Sequence, residues 1–162
     1  MIRSTITAFV ALFITVSTQA QVANISDPRL KIELPDANGR MISLASLKGK
    51  VILLDFWASW CGPCRQANKG LVKLYAKYRS KGFEIFSVSV DDDKADWLAA
   101  VKKDKINWLQ VNESTNFDGE AIRRWNVAAL PTTFLINKKG NVVAIDAEGK
   151  KLEKEVAELL AE

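Results

Sequence analysis

Histidine is absent from this 162-residue chain, and cysteine, methionine and tyrosine occur only twice each. The missing histidine removes the usual general base and the commonest metal ligand. Two cysteines alone cannot build a four-ligand zinc site, so no metal and no other cofactor is expected. Haem attachment fails as well, because Arg65 stands where Cys-x-x-Cys-His needs its histidine. The chain also has no basic block. Its 23 Lys and Arg against 19 Asp and Glu give only +4, and lysines such as Lys48, Lys50, Lys69, Lys73, Lys77 and Lys81 are spread out. With no binding motif beside them, nucleic acid is not an expected partner.

Long apolar runs are missing too. The N-terminal stretch Ile6 to Val16 is broken by Thr7 and Thr15. It falls well short of the ~20 residues a membrane-spanning helix takes. Arg3 precedes it, and Thr18-Gln19-Ala20 places small residues where a signal peptidase reads. Residues 1–20 therefore read as a signal peptide cleaved after Ala20, with an uncleaved anchor as the alternative. No cysteine follows the cleavage point, which argues against a lipoprotein. A periplasmic or otherwise extracytoplasmic location follows. With 48% hydrophobic and 26% charged residues the remainder has ordinary globular composition, and no internal linker or repeat divides it.

Residues 21–29 are polar and read as a flexible lead-in, followed by one domain over 30–162. Residues 30–34 and 41–44 alternate around Asn38-Gly39, which predicts a hairpin. Val51 to Trp57 is apolar on both faces apart from Asp55, as in a central parallel strand. Leu71, Leu74, Tyr75 and Tyr78 fall at helical spacing within a helix over about 62–80 that Gly82 ends. A strand over 83–90 comes next. Asp91-Asp92-Asp93 then precedes an amphipathic helix through Trp97, Leu98 and Val101, where acids favour the helix dipole. The triplet lacks the glycine and distal glutamate of a calcium loop. A short strand at 108–111, a short helix at 118–125, a β-hairpin over 132–145 and a closing helix over 151–160 complete the order. The fold class is α/β: a central mixed β-sheet flanked by helices, with an N-terminal β-hairpin and an inserted helical segment between a βαβ and a ββα half.

Both cysteines lie in Trp60-Cys61-Gly62-Pro63-Cys64, directly after the central strand and at a helix start. Unpaired backbone N–H groups and the helix dipole favour a thiolate there. One cysteine can attack a disulfide and the other, one turn away, can resolve the mixed disulfide. So small a ring constrains little unfolded-state entropy, which makes a purely structural disulfide a poor explanation. Asp55 in an apolar strand is costly unless protonated or hydrogen-bonded. It reads either as a base of raised pKa or as an acid bonded to a neighbouring lysine or backbone group. Trp97, Trp108 and Trp125 read as core or groove walls.

Over about residues 30–160 the chain resembles the TlpA/ResA-like thiol–disulfide oxidoreductases of the thioredoxin superfamily. The resemblance is carried by Asp55-Phe56-Trp57-Ala58-Ser59-Trp60-Cys61-Gly62-Pro63-Cys64, by the opening Leu34-Pro35-Asp36 with Leu47-Lys48-Gly49-Lys50, and by Val127-Ala128-Ala129-Leu130-Pro131-Thr132-Thr133-Phe134. It implies a thioredoxin-like fold with Cys61 as nucleophile and Cys64 as resolving thiol, the two forming a redox-active disulfide. It implies a cis Pro131, with the Leu130 backbone presented to an extended substrate segment. Trp60, Gly62 and Pro63 would border that segment, Trp57 and Trp60 resemble the paired tryptophans of the family, and Asp55 would serve Cys64 as base. Two places depart from the family: Ala67 stands for a glutamate and Lys69 for a proline. The first change throws more weight on Asp55, and the second predicts a straighter helix.

Gly-Pro between the cysteines, without histidine, points to a reductase of protein disulfides, the alternative being an oxidase or isomerase. A peroxiredoxin would need a hydroxyl residue and a proline where Ala58 and Leu54 stand. A non-catalytic holdase would not need the cysteine pair. By resemblance the partners are protein disulfides or dithiols and a membrane thiol-reductant donor, and the chain is expected to be a monomer.

Overall fold

The computed structural model describes residues 23–162; the signal-peptide reading of residues 1–20 falls outside them. Two short strands, β1 (Glu33–Pro35) and β2 (Met41–Ser43), pair antiparallel as a hairpin. A separate sheet has five strands: β3 (Val51–Trp57), β4 (Phe83–Ser89), β5 (Leu109–Asn112), β6 (Thr132–Ile136) and β7 (Val142–Ile145). Their order is β5-β4-β3-β6-β7. β3 pairs parallel with β4 and antiparallel with β6, so the sheet is mixed and β3 is its centre. The helices are α1 (Gly62–Tyr78), α2 (Lys94–Lys103), α3 (Glu120–Arg124) and α4 (Gly149–Ala161). Helices α2 and α3, with β5 between them, form the segment inserted between the βαβ and ββα halves. Among the described residues no helix is long and apolar enough to cross a membrane.

Strand periodicity splits the core into two layers. Ile52, Leu54 and Phe56 point into a cluster with Trp97, Ile122, Trp125 and Phe134. Val51 and Leu53 point the other way, toward Leu71, Tyr75, Leu152 and Val156 under α1 and α4. Asp55 shares that second parity. The only carboxyl on β3 therefore faces the helix that begins at the cysteines.

Three expectations need correction. Residues 23–29 are no free lead-in. Val142 N–H donates to the Ala23 carbonyl at 2.8 Å, Ile25 N–H donates to the Gly140 carbonyl at 2.9 Å, and Ile25 is 3% exposed. The buried Ile25 side chain and these main-chain bonds together anchor the stretch. The first strand begins at Glu33 rather than Leu30, because Asp27-Pro28 starts a 3₁₀ turn in which the Asp27 side chain accepts from Arg29 N–H. Pro35 lies inside the strand, and Asp36 makes the turn by accepting from Asn38 N–H and Arg40 N–H. Helix α1 stops at Tyr78, and a 3₁₀ turn over Arg79–Lys81 carries the chain to Gly82, whose φ of +98° suits glycine.

The inserted segment is tied by Glu113, which accepts from Ala121 N–H at 2.9 Å at the start of α3. A side chain at Gly119 would meet that carboxylate: a Cβ there would lie 2.1 Å from Glu113 Oε2.

Ile25→Ala is expected to lower the stability of the oxidised protein by about 2–5 kcal/mol, the range for truncating a buried isoleucine. Urea unfolding measures it. A loss under about 0.5 kcal/mol would mean that residues 23–29 do not pack on the domain in solution.

Candidate active site

Strand β3 ends at Trp57, and Ala58-Ser59-Trp60 turns the chain into α1. Ser59 is held from both sides. Its N–H donates to both carboxylate oxygens of Asp91, at 3.0 and 2.9 Å, and its hydroxyl donates to Asp91 Oδ1 at 2.6 Å. Its carbonyl accepts from Arg65 Nη1 at 2.9 Å. Arg65 in turn is paired in fork geometry with Asp104 at the end of α2, through Nη2 at 2.7 Å and through Nε. Asn68 adds a hydrogen bond to Asp104 at 3.0 Å. Burial pushes the Asp104 carboxyl up. The bonds from Arg65 and Asn68, with the Arg65 charge, outweigh that and hold it below the ordinary carboxylate range.

This clamp corrects the reading of the acidic triplet. Asp93 does cap α2, accepting from Ala95 N–H at 2.6 Å. Asp91, however, is 2% exposed and faces away from that helix start, where the Ser89 hydroxyl also donates to it at 2.8 Å. Asp91, Arg65 and Asp104 are the residues that sequence reasoning missed. One signal was available: a triplet needs only one residue to cap, and its first member sits two residues past a fully buried strand.

Cys61 is the N-cap of α1, and its sulfur accepts from the Cys64 N–H at 3.2 Å. The two sulfurs form a disulfide with Cα atoms 5.3 Å apart. Cys61 and Cys64 are both buried, whereas Trp60 beside them is 58% exposed. Gly62 and Pro63 are exposed between them. Trp57 is wholly buried, its indole N–H on Gln110 at 3.1 Å, so the two tryptophans of the motif do different jobs. The β3–β6 register pairs Phe56 with Thr132, which sets Pro131 at the end of β3 where the chain departs for the cysteines. The Leu130–Pro131 peptide bond is cis. The Thr132 hydroxyl braces this loop on the Ala129 carbonyl at 2.8 Å.

Asp55 lies beneath. Its neighbour is not a lysine but the Ser87 hydroxyl on β4, which donates to it at 2.8 Å and accepts from the Trp108 indole N–H at 2.9 Å. Burial pushes the Asp55 carboxyl up to about 6, and the Ser87 bond offsets part of that rise. Asp55, Pro63, Ala67 and Pro131 line one groove between α1 and α4. Among the described residues no cluster of three or more acidic or cysteine side chains is arranged to hold a metal ion.

A dithiol–disulfide at the mouth of a helix, beside a proline loop and above a buried acid on a mixed sheet, defines a thioredoxin-like redox protein. The AhpC/TSA family model matches residues 25–145, and the chain belongs to that family. It is 37% identical over 112 residues to the thiol–disulfide oxidoreductase ResA of Bacillus subtilis, covering 69% of this chain and 61% of that protein. The ResA of Bacillus thuringiensis is 35% identical, over 77% of this chain and 70% of the relative. The thioredoxin domain of a thiol–disulfide oxidoreductase from Bacteroides vulgatus superposes with a TM-score of 0.75 at 32% identity, covering 80% of this chain and 93% of that one.

The raised carboxyl fixes a pH dependence. In the unfolded chain Asp55 titrates near 3.8, in the fold near 6, so the native state holds the extra proton between those values. The group's contribution is intact at low pH, is lost as pH rises through that window, and stays a constant deficit above it. Asp55→Asn is expected to be about 3 kcal/mol more stable than the natural protein near pH 7.5, with the gap closing below about pH 4. Urea melts across that range test it, and a pH-independent gap would contradict the assignment.

Proposed function

We propose that this protein is an extracytoplasmic thiol–disulfide oxidoreductase that reduces disulfides in other proteins. The observation that carries the reading is the Cys61–Cys64 pair at the start of α1, with Asp55 and Pro131 on the same groove. In the reduced state the Cys61 thiolate attacks one sulfur of a substrate disulfide. A Cys61–substrate bond forms and the other substrate sulfur leaves as a thiolate, taking a proton from solvent. The N-cap position and the Cys64 N–H favour that thiolate before attack. Cys64 then loses its proton to Asp55, directly or through water, and attacks Cys61. The second substrate sulfur leaves, the disulfide seen in the structure forms, and two electrons have passed to the substrate. A dithiol donor must return them, and by resemblance it is a membrane thiol transporter.

Asp55 suits the second step because a carboxyl titrating near 6 is ionised at neutral pH yet basic enough to take a thiol proton. Pro131 and Leu130 are assigned to docking the substrate backbone, and Trp60, Gly62 and Pro63 to the rim around it. The reductive direction rests on Gly62-Pro63 and on the missing histidine, and the location on the pattern of residues 1–20. A peroxidase reading is disfavoured: Ala58 and Leu54, buried in the strand and turn, offer no hydroxyl to orient a peroxide.

Cys64→Ser expressed in the native host should accumulate mixed disulfides through Cys61, visible on non-reducing gels and identified by mass spectrometry, while Cys61→Ser should accumulate none. Equal trapping by both variants would sink the assignment of nucleophile. Asp55→Asn should leave the first attack nearly unchanged and slow the resolving step about tenfold or more, in line with loss of a general base. Stopped-flow reduction of a peptide disulfide separates the two steps, and unchanged resolution would remove Asp55 from the mechanism.

A further inference from the structure

The groove that reaches Asp55 is far larger than proton transfer needs. It encloses about 810 Å³ between α1 and the first turns of α4, with Pro63 and Pro131 at the end nearest the disulfide. Its α1 wall is built from Pro63, Ala67, Gly70 and Leu74, residues that recur at helical spacing and are small or apolar. Ala147 and Leu152 face them from the other side. Both departures from the family pattern, Ala67 and Lys69, fall on this groove.

The lips are charged, and mostly of one sign. Lys69, Lys73 and Lys77 line the α1 lip, and Lys150 stands on the α4 side, against Glu148 and Glu153. Lys77 pairs with Glu153 across the far end at 2.6 Å, and Lys69 donates to the Gln66 side chain. Among the described residues Lys73, Lys150 and Glu148 have no ion-pair partner, so with Lys69 the open part of the groove has three cations against one carboxylate and is net positive. Two lengths then agree. From Pro63 to Lys77 the α1 wall runs about 21 Å, and six residues of extended chain span about 20 Å. The three lysines follow one another every four residues, about 6 Å along the helix, close to the ~6.6 Å between same-face side chains of a strand.

We propose that this groove docks an extended segment of the protein substrate in which acidic and apolar residues alternate. The acids meet Lys69, Lys73 and Lys150, the apolar side chains lie against Ala67, Gly70 and Leu74, and the disulfide to be reduced sits at the Pro63–Pro131 end. The assignment rests on the reading of Cys61–Cys64 as acting on protein disulfides. It adds which proteins are favoured.

The test uses the reduced natural protein and two synthetic peptides, each with a cysteine in a mixed disulfide followed by six residues. One alternates Asp with Leu, the other Lys with Leu, and the released thiol is followed with time. The acidic peptide is expected to react about tenfold faster at low ionic strength, the advantage collapsing near 1 M salt as charges are screened. Lys73→Glu with Lys150→Glu should invert the preference, and Lys73→Gln with Lys150→Gln should level it. All four substitutions are at exposed positions, and circular dichroism checks their folding. Equal rates for both peptides, or a charge-reversed protein that keeps the natural preference, would overturn the groove assignment alone. Reduction of neither peptide would overturn the underlying reading and the groove with it.

Discussion

The reactive turn depends on one buried carboxylate. Between β3 and α1 the chain must leave a central strand and start a helix within Ala58-Ser59-Trp60, and the Ser59 amide and hydroxyl lose their water in doing so. Asp91 accepts both, and Arg65 takes the carbonyl on the other side. Every polar group of Ser59 is thereby satisfied by a charged partner, the stronger kind of hydrogen bond. Arg65 is itself fixed on Asp104, so the clamp links the end of β4, the first turn of α1 and the end of α2. The position of Cys61 as an N-cap follows from where Ser59 is held.

Two buried aspartates flank this turn, and their surroundings offer them different numbers of donors. Asp91 receives the Ser59 amide and the hydroxyls of Ser59 and Ser89. Asp55 receives one hydroxyl, that of Ser87. With so few donors, desolvation dominates and the carboxyl is pushed up to about 6. The fold therefore leaves Asp55 able to exchange a proton near neutrality.

Much of this was legible in the residue order. β3 is apolar but for Asp55, β6 over its last three residues and β7 throughout, and the Cys-x-x-Cys lies where strand and helix signals meet. Pro131 was legible because its surrounding motif is specific. What was hidden depends on contacts distant in sequence. Nothing local to Asp91 tells that Ser59, 32 residues earlier, turns its amide toward it. Arg65 and Asp104 lie 39 residues apart, and nothing local to either shows that they pair. The docking of Ile25 on the β6–β7 turn was invisible for the same reason, since one apolar residue in a polar stretch has no period to detect. The partner of Asp55 was a serine across the sheet, and register alone reveals it.

The Ile25 anchor also gives the molecule a front and a back. Residues 23–25 join the fold at Gly140 and Asn141, and Gly49, just before β3, bonds the same turn through the Lys138 carbonyl. The cysteines follow the opposite end of β3, seven residues and roughly 23 Å along the strand. A domain held by its N-terminal side, on a surface, a bead or a fusion partner, therefore turns its anchored pole inward. Trp60 and the disulfide then lie on the outward pole, where a large folded protein can approach without meeting the attachment.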